Sequence, residues 1–141
     1  MGLIQLGSTP WVTTRVQIST SLGRFNMSSP NRPINNYKHY HAHVYFDAET
    51  IEFARLLCIR ASENFSLKMG RVHEQPVGPH TVWSCQLMFS YKEFDALIPW
   101  LEENRDGLTV FVHPLTGDDL ADHTEFATWL GDAVPLDVSI F

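Results

Sequence analysis

One seven-residue run constrains the fold of this chain more than any other: Tyr40-His41-Ala42-His43-Val44-Tyr45-Phe46. Its side chains alternate in character, the period of a half-buried β-strand. Successive strand residues point to opposite faces. Ala42, Val44 and Phe46 therefore share one face, and His41, His43 and Tyr45 share the other. The apolar row can enter a core. The second row sets two imidazoles side by side, roughly 7 Å apart along the strand. Packing seldom asks for two histidines on one strand face. Metal ligation does, because neutral imidazole is the commonest metal-ligating side chain. The run predicts a sheet with a metal-binding face.

The 141 residues fit one domain with an extension. Charge divides the chain. Residues 1–46 hold Arg15, Arg24, Arg32 and Lys38 and no acid, while all 16 carboxylates lie from Asp47 onward beside the remaining six basic residues. The first segment is thus near +4 and the rest near −10. So acidic a body argues against nucleic acid as a partner, since phosphate contact needs basic patches. No apolar run approaches the ~20 residues that span a bilayer. Cys58 and Cys85 lack CxxC spacing and read as buried free thiols in a reducing, cytoplasmic compartment. Residues 1–36, rich in Ser, Thr, Asn and Pro, read as an N-terminal extension. It is either loosely packed or an organelle-targeting (mitochondrial) leader, whose acid-free composition it shares, and Met27 is an alternative start. Residues 37–141 read as the folded domain.

Along that domain, Asp47 reads as the N-cap of a helix over 48–62, with Ile51, Ala54, Leu57, Cys58 and Ala61 at helical spacing. Residues 65–69 alternate as a second strand, and 71–81 read as a loop punctuated by Pro76, Gly78 and Pro79. Val82 to Phe89 reads as a third strand. Ser90-Tyr91-Lys92-Glu93 is a capping box opening a helix to about Arg105, which Pro99 is expected to kink or split. Leu108 to His113 reads as a fourth strand, Asp119 to Leu130 as a short helix, and 136–140 as a last strand. This order is that of an α+β, ferredoxin-like βαββαβ antiparallel sheet with a C-terminal extension. Helices cover one face. The other calls for a cover, and a second copy in a homodimeric α+β barrel is the expected one. The first and third strands are expected side by side, with the fourth beside the third or the second beside the first.

On the face away from the helices the pattern gathers His41, His43, His113, Gln86 and Ser84, with Glu74 and His80 in the loop feeding the third strand. His80 reads either as a substrate-facing base or as a turn residue. His123 reads either as a helix-start residue or as part of the site. Trp100 and Trp129 either line a pocket or pack. No P-loop, GxGxxG or Ser-His-Asp order occurs, and His73-Glu74 lacks the second histidine of HExxH. A histidine-based site for Fe(II), Zn or Mn is the one chemical constellation left.

These residues also carry a resemblance. Tyr40-His41-Ala42-His43-Val44-Tyr45-Phe46, Pro76-Val77-Gly78-Pro79-His80, Pro99-Trp100-Leu101, His113-Pro114-Leu115-Thr116-Gly117-Asp118-Asp119, Asp122-His123-Thr124 and Trp129-Leu130-Gly131 resemble, in order, the DOPA 4,5-dioxygenase family over roughly residues 39–135. The resemblance implies a metal-dependent extradiol-type dioxygenase. Such an enzyme opens the ring of a small aromatic substrate, DOPA or a related catechol, with O2. Under it His41, His43 and His113 are the metal ligands, with Fe(II) first and Zn second. His80 takes the catechol proton or protonates the bound oxygen species, and His123 is a second candidate for that role or an orienting group. Arg71, Tyr45 and Gln86 are the candidate substrate contacts, Arg71 for a substrate carboxylate. No carboxylate falls clearly on the open face, and Glu74 is the one candidate for a plain two-histidine-one-carboxylate set. A non-catalytic, dimeric small-molecule binding or sensing module of the same fold is the alternative.

Overall fold

The alternating run folds as its period requires: His39–Phe46 is strand β1, at the centre of a five-stranded antiparallel sheet. The computed structural model describes residues 31–141. The extension read in residues 1–30, its targeting role and the alternative start at Met27 lie outside the described residues. After β1 come helix α1 (Ile51–Asn64), strands β2 (Lys68–His73) and β3 (Trp83–Ser90), helix α2 (Tyr91–Asn104) and strand β4 (Val110–Pro114). A one-turn helix α3 (Asp119–Asp122), strand β5 (Thr128–Leu130) and a 3₁₀ turn (Val138–Ile140) complete the chain. The sheet order is β2-β3-β1-β4-β5. The architecture is the ferredoxin-like βαββαβ plan with one added edge strand.

Apolar periodicity builds the helix side. α1 buries Ala54, Leu57, Cys58 and Ala61, and α2 buries Phe94, Leu97, Ile98 and Leu101. They pack on Ala42, Val44, Cys85, Leu87, Val110 and Val112 of the sheet. Each fully buried Leu or Val side chain there contributes about 1.5–3 kcal/mol. Both cysteines are buried and free. Ser90 Oγ caps α2 by accepting from Lys92 N–H. Glu93 does not close the box; its carboxylate accepts from the Ser66 amide instead. α2 runs unbroken through Pro99. The proline forfeits one backbone bond, and the buried face on either side of it holds the helix together.

Several expectations are corrected. Asp47 does not cap α1 directly. Its Oδ1 accepts from the amides of Glu49 and Thr50 and from the Thr50 hydroxyl, closing the turn that precedes the helix. The second strand lies at 68–73 rather than 65–69, because Met69 and Val72 pair with Leu87 and Cys85 across a bulge. The second strand pairs with the third and the fourth with the first, not the reverse. The helix expected over 119–130 stops after one turn. Thr128 then bonds the Val112 carbonyl through its hydroxyl, and Trp129 stacks on Phe111, so this stretch joins the sheet as β5. No strand forms at 136–140; Leu136 makes one isolated bridge to His80. Residues 31–36 pack on the domain. Asn31 C=O accepts from Trp129 N–H, Asn35 Nδ2 donates to the Tyr91 carbonyl, and Arg32 pairs with Glu102.

The face away from the helices is partly covered by the chain itself. Tyr45, Phe111 and Trp129 form a second buried cluster, with Val82, Ala127, Val134 and Leu136 packed over it. Beyond that cover the histidine row of β1 remains.

Candidate metal centre

Pairing brings the third histidine to the first two. In register, His41 stands opposite His113 and His43 opposite Phe111. Partners directly across an antiparallel pair share a face, so His113 joins His41 and His43. The three ring centroids lie 5.6, 5.3 and 5.2 Å apart in pairs. One nitrogen from each ring falls within 4.8 Å of the other two. His43 and His113 are buried, and His41 is half-buried.

The hydrogen bonds fix where the protons sit. His113 Nδ1 lies 2.8 Å from the Pro114 carbonyl oxygen, which only accepts. His113 therefore carries its proton on Nδ1 and presents a lone pair at Nε2. His43 Nε2 is 3.1 Å from that atom and donates to it in the metal-free protein. His41 Nε2 is buried with no hydrogen-bond partner, the only such side-chain atom among the described residues. A buried polar atom without a partner costs about 1–3 kcal/mol. A cation shared with the neighbouring ring nitrogens would satisfy it, so the residues present fit a divalent metal. Burial is also the main force on the rings' charge. It pulls His113 down to about 3 and His43 well below its ordinary value, and it lowers His41. Neutral imidazole, the ligating form, is thereby favoured.

Two more histidines flank the triad. His80 is buried, its ring centroid 4.1 Å from that of His43 and 6.5 Å from that of His123. It enters on a turn in which Gly78 adopts φ +55° and His80 N–H closes onto the Val77 carbonyl. Its Nδ1 is 2.7 Å from the Tyr45 hydroxyl. Burial lowers His80 to about 4 and raises the Tyr45 phenol far above its ordinary value. His123 follows α3, its ring 4.3 Å from His113 and 4.8 Å from Phe141, with Nδ1 2.7 Å from the Asp119 carbonyl oxygen.

Not every expected residue converges. Gln86 does: directly opposite His43 on β3, it shares the face of the histidine row. Arg71 is exposed in the bulge of edge strand β2, two strand spacings or roughly 10 Å from β1. Glu74 is exposed and outside the cluster, so the only three-residue grouping among the described residues is all-histidine. Trp129 packs under the site, and Trp100 packs on the helix side against Phe65. Sequence reasoning missed Asp122. It is 1% exposed and accepts from the Thr116 amide (3.0 Å) and hydroxyl (2.6 Å), tying the loop after β4 to the residue before His123. Its signal was an acid directly beside a histidine in a loop rich in hydrogen-bonding residues. Phe111, on the same face of β4 as His113, forms the floor beneath His43, His80 and His123; the alternation of residues 108–113 was its signal.

The likeness to known proteins follows the same residues. A DOPA 4,5-dioxygenase of Amanita muscaria is 30% identical over 111 residues, 72% of this chain and 49% of that protein. An uncharacterised 21.2 kDa protein of Botryotinia fuckeliana is 37% identical over 113 residues, 72% of this chain and 62% of its own length. The chain thus spans about half to three-fifths of these curated relatives. A crystal structure at 1.46 Å from Nostoc punctiforme, of a protein assigned as a dioxygenase, is 39% identical. It superposes with a TM-score of 0.63, covering 72% of this chain and 89% of that one. The sequence model of the Dopa 4,5-dioxygenase family matches residues 40–140, from the second residue of the histidine strand through all five histidines of the site. By that match, and by the relatives that share it, the chain belongs to the Dopa 4,5-dioxygenase family.

Proposed function

We propose that this protein is a metal-dependent, extradiol-type dioxygenase that opens a catechol ring, DOPA or a related catechol, with O2. The observation that carries the reading is the convergence of His41, His43 and His113, with one nitrogen from each within 4.8 Å of the others and one of them orphaned. These three hold the metal, Fe(II) first and Zn second. A metal held by these three imidazoles, with no carboxylate beside them, would supply Lewis-acid chemistry for a catechol and O2. The protein's own residues do the rest. Phe111 and Trp129 stack 4.7 Å apart beneath the site and exclude water from its floor. His80 and His123 supply polar nitrogens at its sides. Gln86 and Arg71, on successive strands leading away from the histidines, are the candidate contacts for the substrate's remaining polar groups.

The enzyme acts in the cytoplasm, a reading supported by its two buried free thiols. It works as a homodimer. Met88, opposite His41, is exposed, as are Leu115 and Leu120 beyond β4, so a partner's apolar surface would complete the cover of the site. Sedimentation of the purified protein checks this, and a monomer mass refutes it.

Metal analysis beside oxygen uptake tests the main reading. Wild type is expected to hold about one metal per chain, and His43→Ala to lose it. The Fe(II)-loaded wild type is expected to consume a catechol and O2 with a yellow product. A fully loaded protein with no oxygen uptake on any catechol sinks the proposal.

A further inference from the structure

We infer that the two histidines flanking the triad are locked in opposite tautomers. His123 presents a bare Nε2 that accepts a proton, His80 presents an Nε2–H that only donates a hydrogen bond, and Tyr45 is the positioning residue that sets His80. The tautomers stand on hydrogen-bond geometry alone. Their catalytic roles rest on the ring-cleaving reading above.

For His123 the argument is short. Its Nδ1 lies 2.7 Å from the Asp119 carbonyl oxygen. A carbonyl has no proton to give, so Nδ1 carries the hydrogen and a neutral ring has none left for Nε2. Asp119 C=O also accepts the His123 amide, so one carbonyl holds both ends of the residue.

For His80 the partner is a hydroxyl, which can donate or accept. Tyr45 Oη lies 2.7 Å from His80 Nδ1, and both residues are buried. Among the described residues Nδ1 is the only hydrogen-bond partner of that hydroxyl. If Nδ1 carried the proton, the phenol hydrogen would be buried with no acceptor. The phenol therefore donates, Nδ1 accepts, and the ring hydrogen sits on Nε2. His80 Nε2 has no hydrogen-bond partner among the described residues, yet it is not among the fully buried orphans, so it keeps open surface. The ring cannot turn away from this arrangement easily. Its backbone is pinned by the bridge to Leu136 and by Asp137 N–H donating to the Pro79 carbonyl. Tyr45 is fixed in β1, two residues beyond His43 on the same face.

The chemistry divides accordingly. His123 Nε2 takes the proton of a catechol hydroxyl: the O–H bond breaks, an N–H bond forms, and an imidazolium faces the catecholate anion. His80 cannot act as that base at Nε2. Loss of its own proton would leave an imidazolate, so it stays neutral and stabilises negative charge on oxygen by donating a hydrogen bond. The proton on His123 returns to the product. Overall one ring C–C bond breaks and both atoms of O2 enter the product, with all the electrons coming from the catechol and no external reductant. Tyr45, expected from the sequence to touch substrate, acts instead through His80.

Long-range ¹H–¹⁵N NMR of the metal-free, full-length protein reads the tautomers without any variant. The expected spectrum shows Nε2 protonated at His80 and Nδ1 protonated at His123. Either assignment reversed overturns the inference. In Tyr45→Phe the His80 pattern is expected to shift toward the other tautomer while His123 and metal content stay as in wild type. An unchanged His80 overturns the role of Tyr45. With Fe(II) bound, Tyr45→Phe is expected to lose roughly tenfold or more in kcat on catechol with KM nearly unchanged. An equal loss expressed only in KM means that Tyr45 touches substrate, and overturns the positioning role. If the tautomers are as assigned and no catechol is consumed, the ring-cleaving reading falls, and with it the division of catalytic labour.

Discussion

Replacing His41 with leucine should stabilise the protein without metal and weaken it with metal. In the metal-free state His41 Nε2 is buried and unpartnered. Such an atom costs about 1–3 kcal/mol, and an apolar side chain of similar size removes that cost. Half-burial of the residue and the loss of its other contacts reduce the gain, so about 1 kcal/mol is the expected net effect. For a domain of this size that is roughly 4 °C in Tm. Metal reverses the order. A cation at one hundred times its Kd stabilises the wild type by about 2.7 kcal/mol, or roughly 10 °C. The variant retains only His43 and His113, binds far more weakly, and gains little.

Thermal unfolding of both proteins, stripped with chelator and then titrated with Zn(II), tests this directly. Zn(II) is redox-inert, so the measurement does not depend on turnover. The expected result is a crossing: the variant melts higher without Zn(II) and lower with it. A variant that melts lower without metal, while both proteins gain equally from Zn(II), would refute the reasoning. The orphaned nitrogen would then not be a ligand, and the cation would sit elsewhere.

Acid should unfold the metal-free protein early. His43, His80 and His113 have folded values below the unfolded histidine value, so below about pH 6.5 the unfolded chain binds more protons and stability falls as pH falls. Each such group steepens the loss by up to about 1.4 kcal/mol per pH unit. The loss continues down to about 4 for His80 and about 3 for His113. Urea melts at pH 7 and pH 5 with equal midpoints would contradict this. Asp122→Asn replaces one of the two acceptor oxygens that face the Thr116 amide and hydroxyl with a donor. It should cost about 1–3 kcal/mol in urea melts while leaving Zn(II) affinity nearly unchanged; a large loss of Zn(II) binding would make Asp122 a ligand instead.

The fold was legible where apolar residues recur at one period, and illegible where tertiary contacts decide. β1, β3, α1 and α2 each carry a clear period, and each formed within a few residues of its expected span. The segment 119–130 carries helical spacing too. Its hydroxyl at Thr128 and its indole at Trp129 find better partners on β4, and no local signal distinguishes that outcome. The C-terminal stretch failed for the same reason. Leu136 and Val134 are placed by what they cover, the Tyr45–Phe111–Trp129 cluster, rather than by their own alternation.

The metal face was legible for a deeper reason: the alternation that folds the sheet also aims the histidines. Burial of Val110 and Val112 against the helices leaves Phe111 and His113 on the other face. Slipping β4 by one residue against β1 would set His113 beside the aliphatic core and turn Val112 outward, so the core enforces the register that brings His113 opposite His41. Strand order lay beyond the sequence's reach, because alternation says which face a residue takes and not which neighbour it meets. Yet only β4 beside β1 lets His113 share a site with both histidines of the first strand. Had the fourth strand paired with the third, as one expectation ran, β3 would stand between β4 and β1. The rings would then be roughly 10 Å apart, too far for one ion. The third ligand therefore depends on topology, and the first two depend only on the period of a single strand.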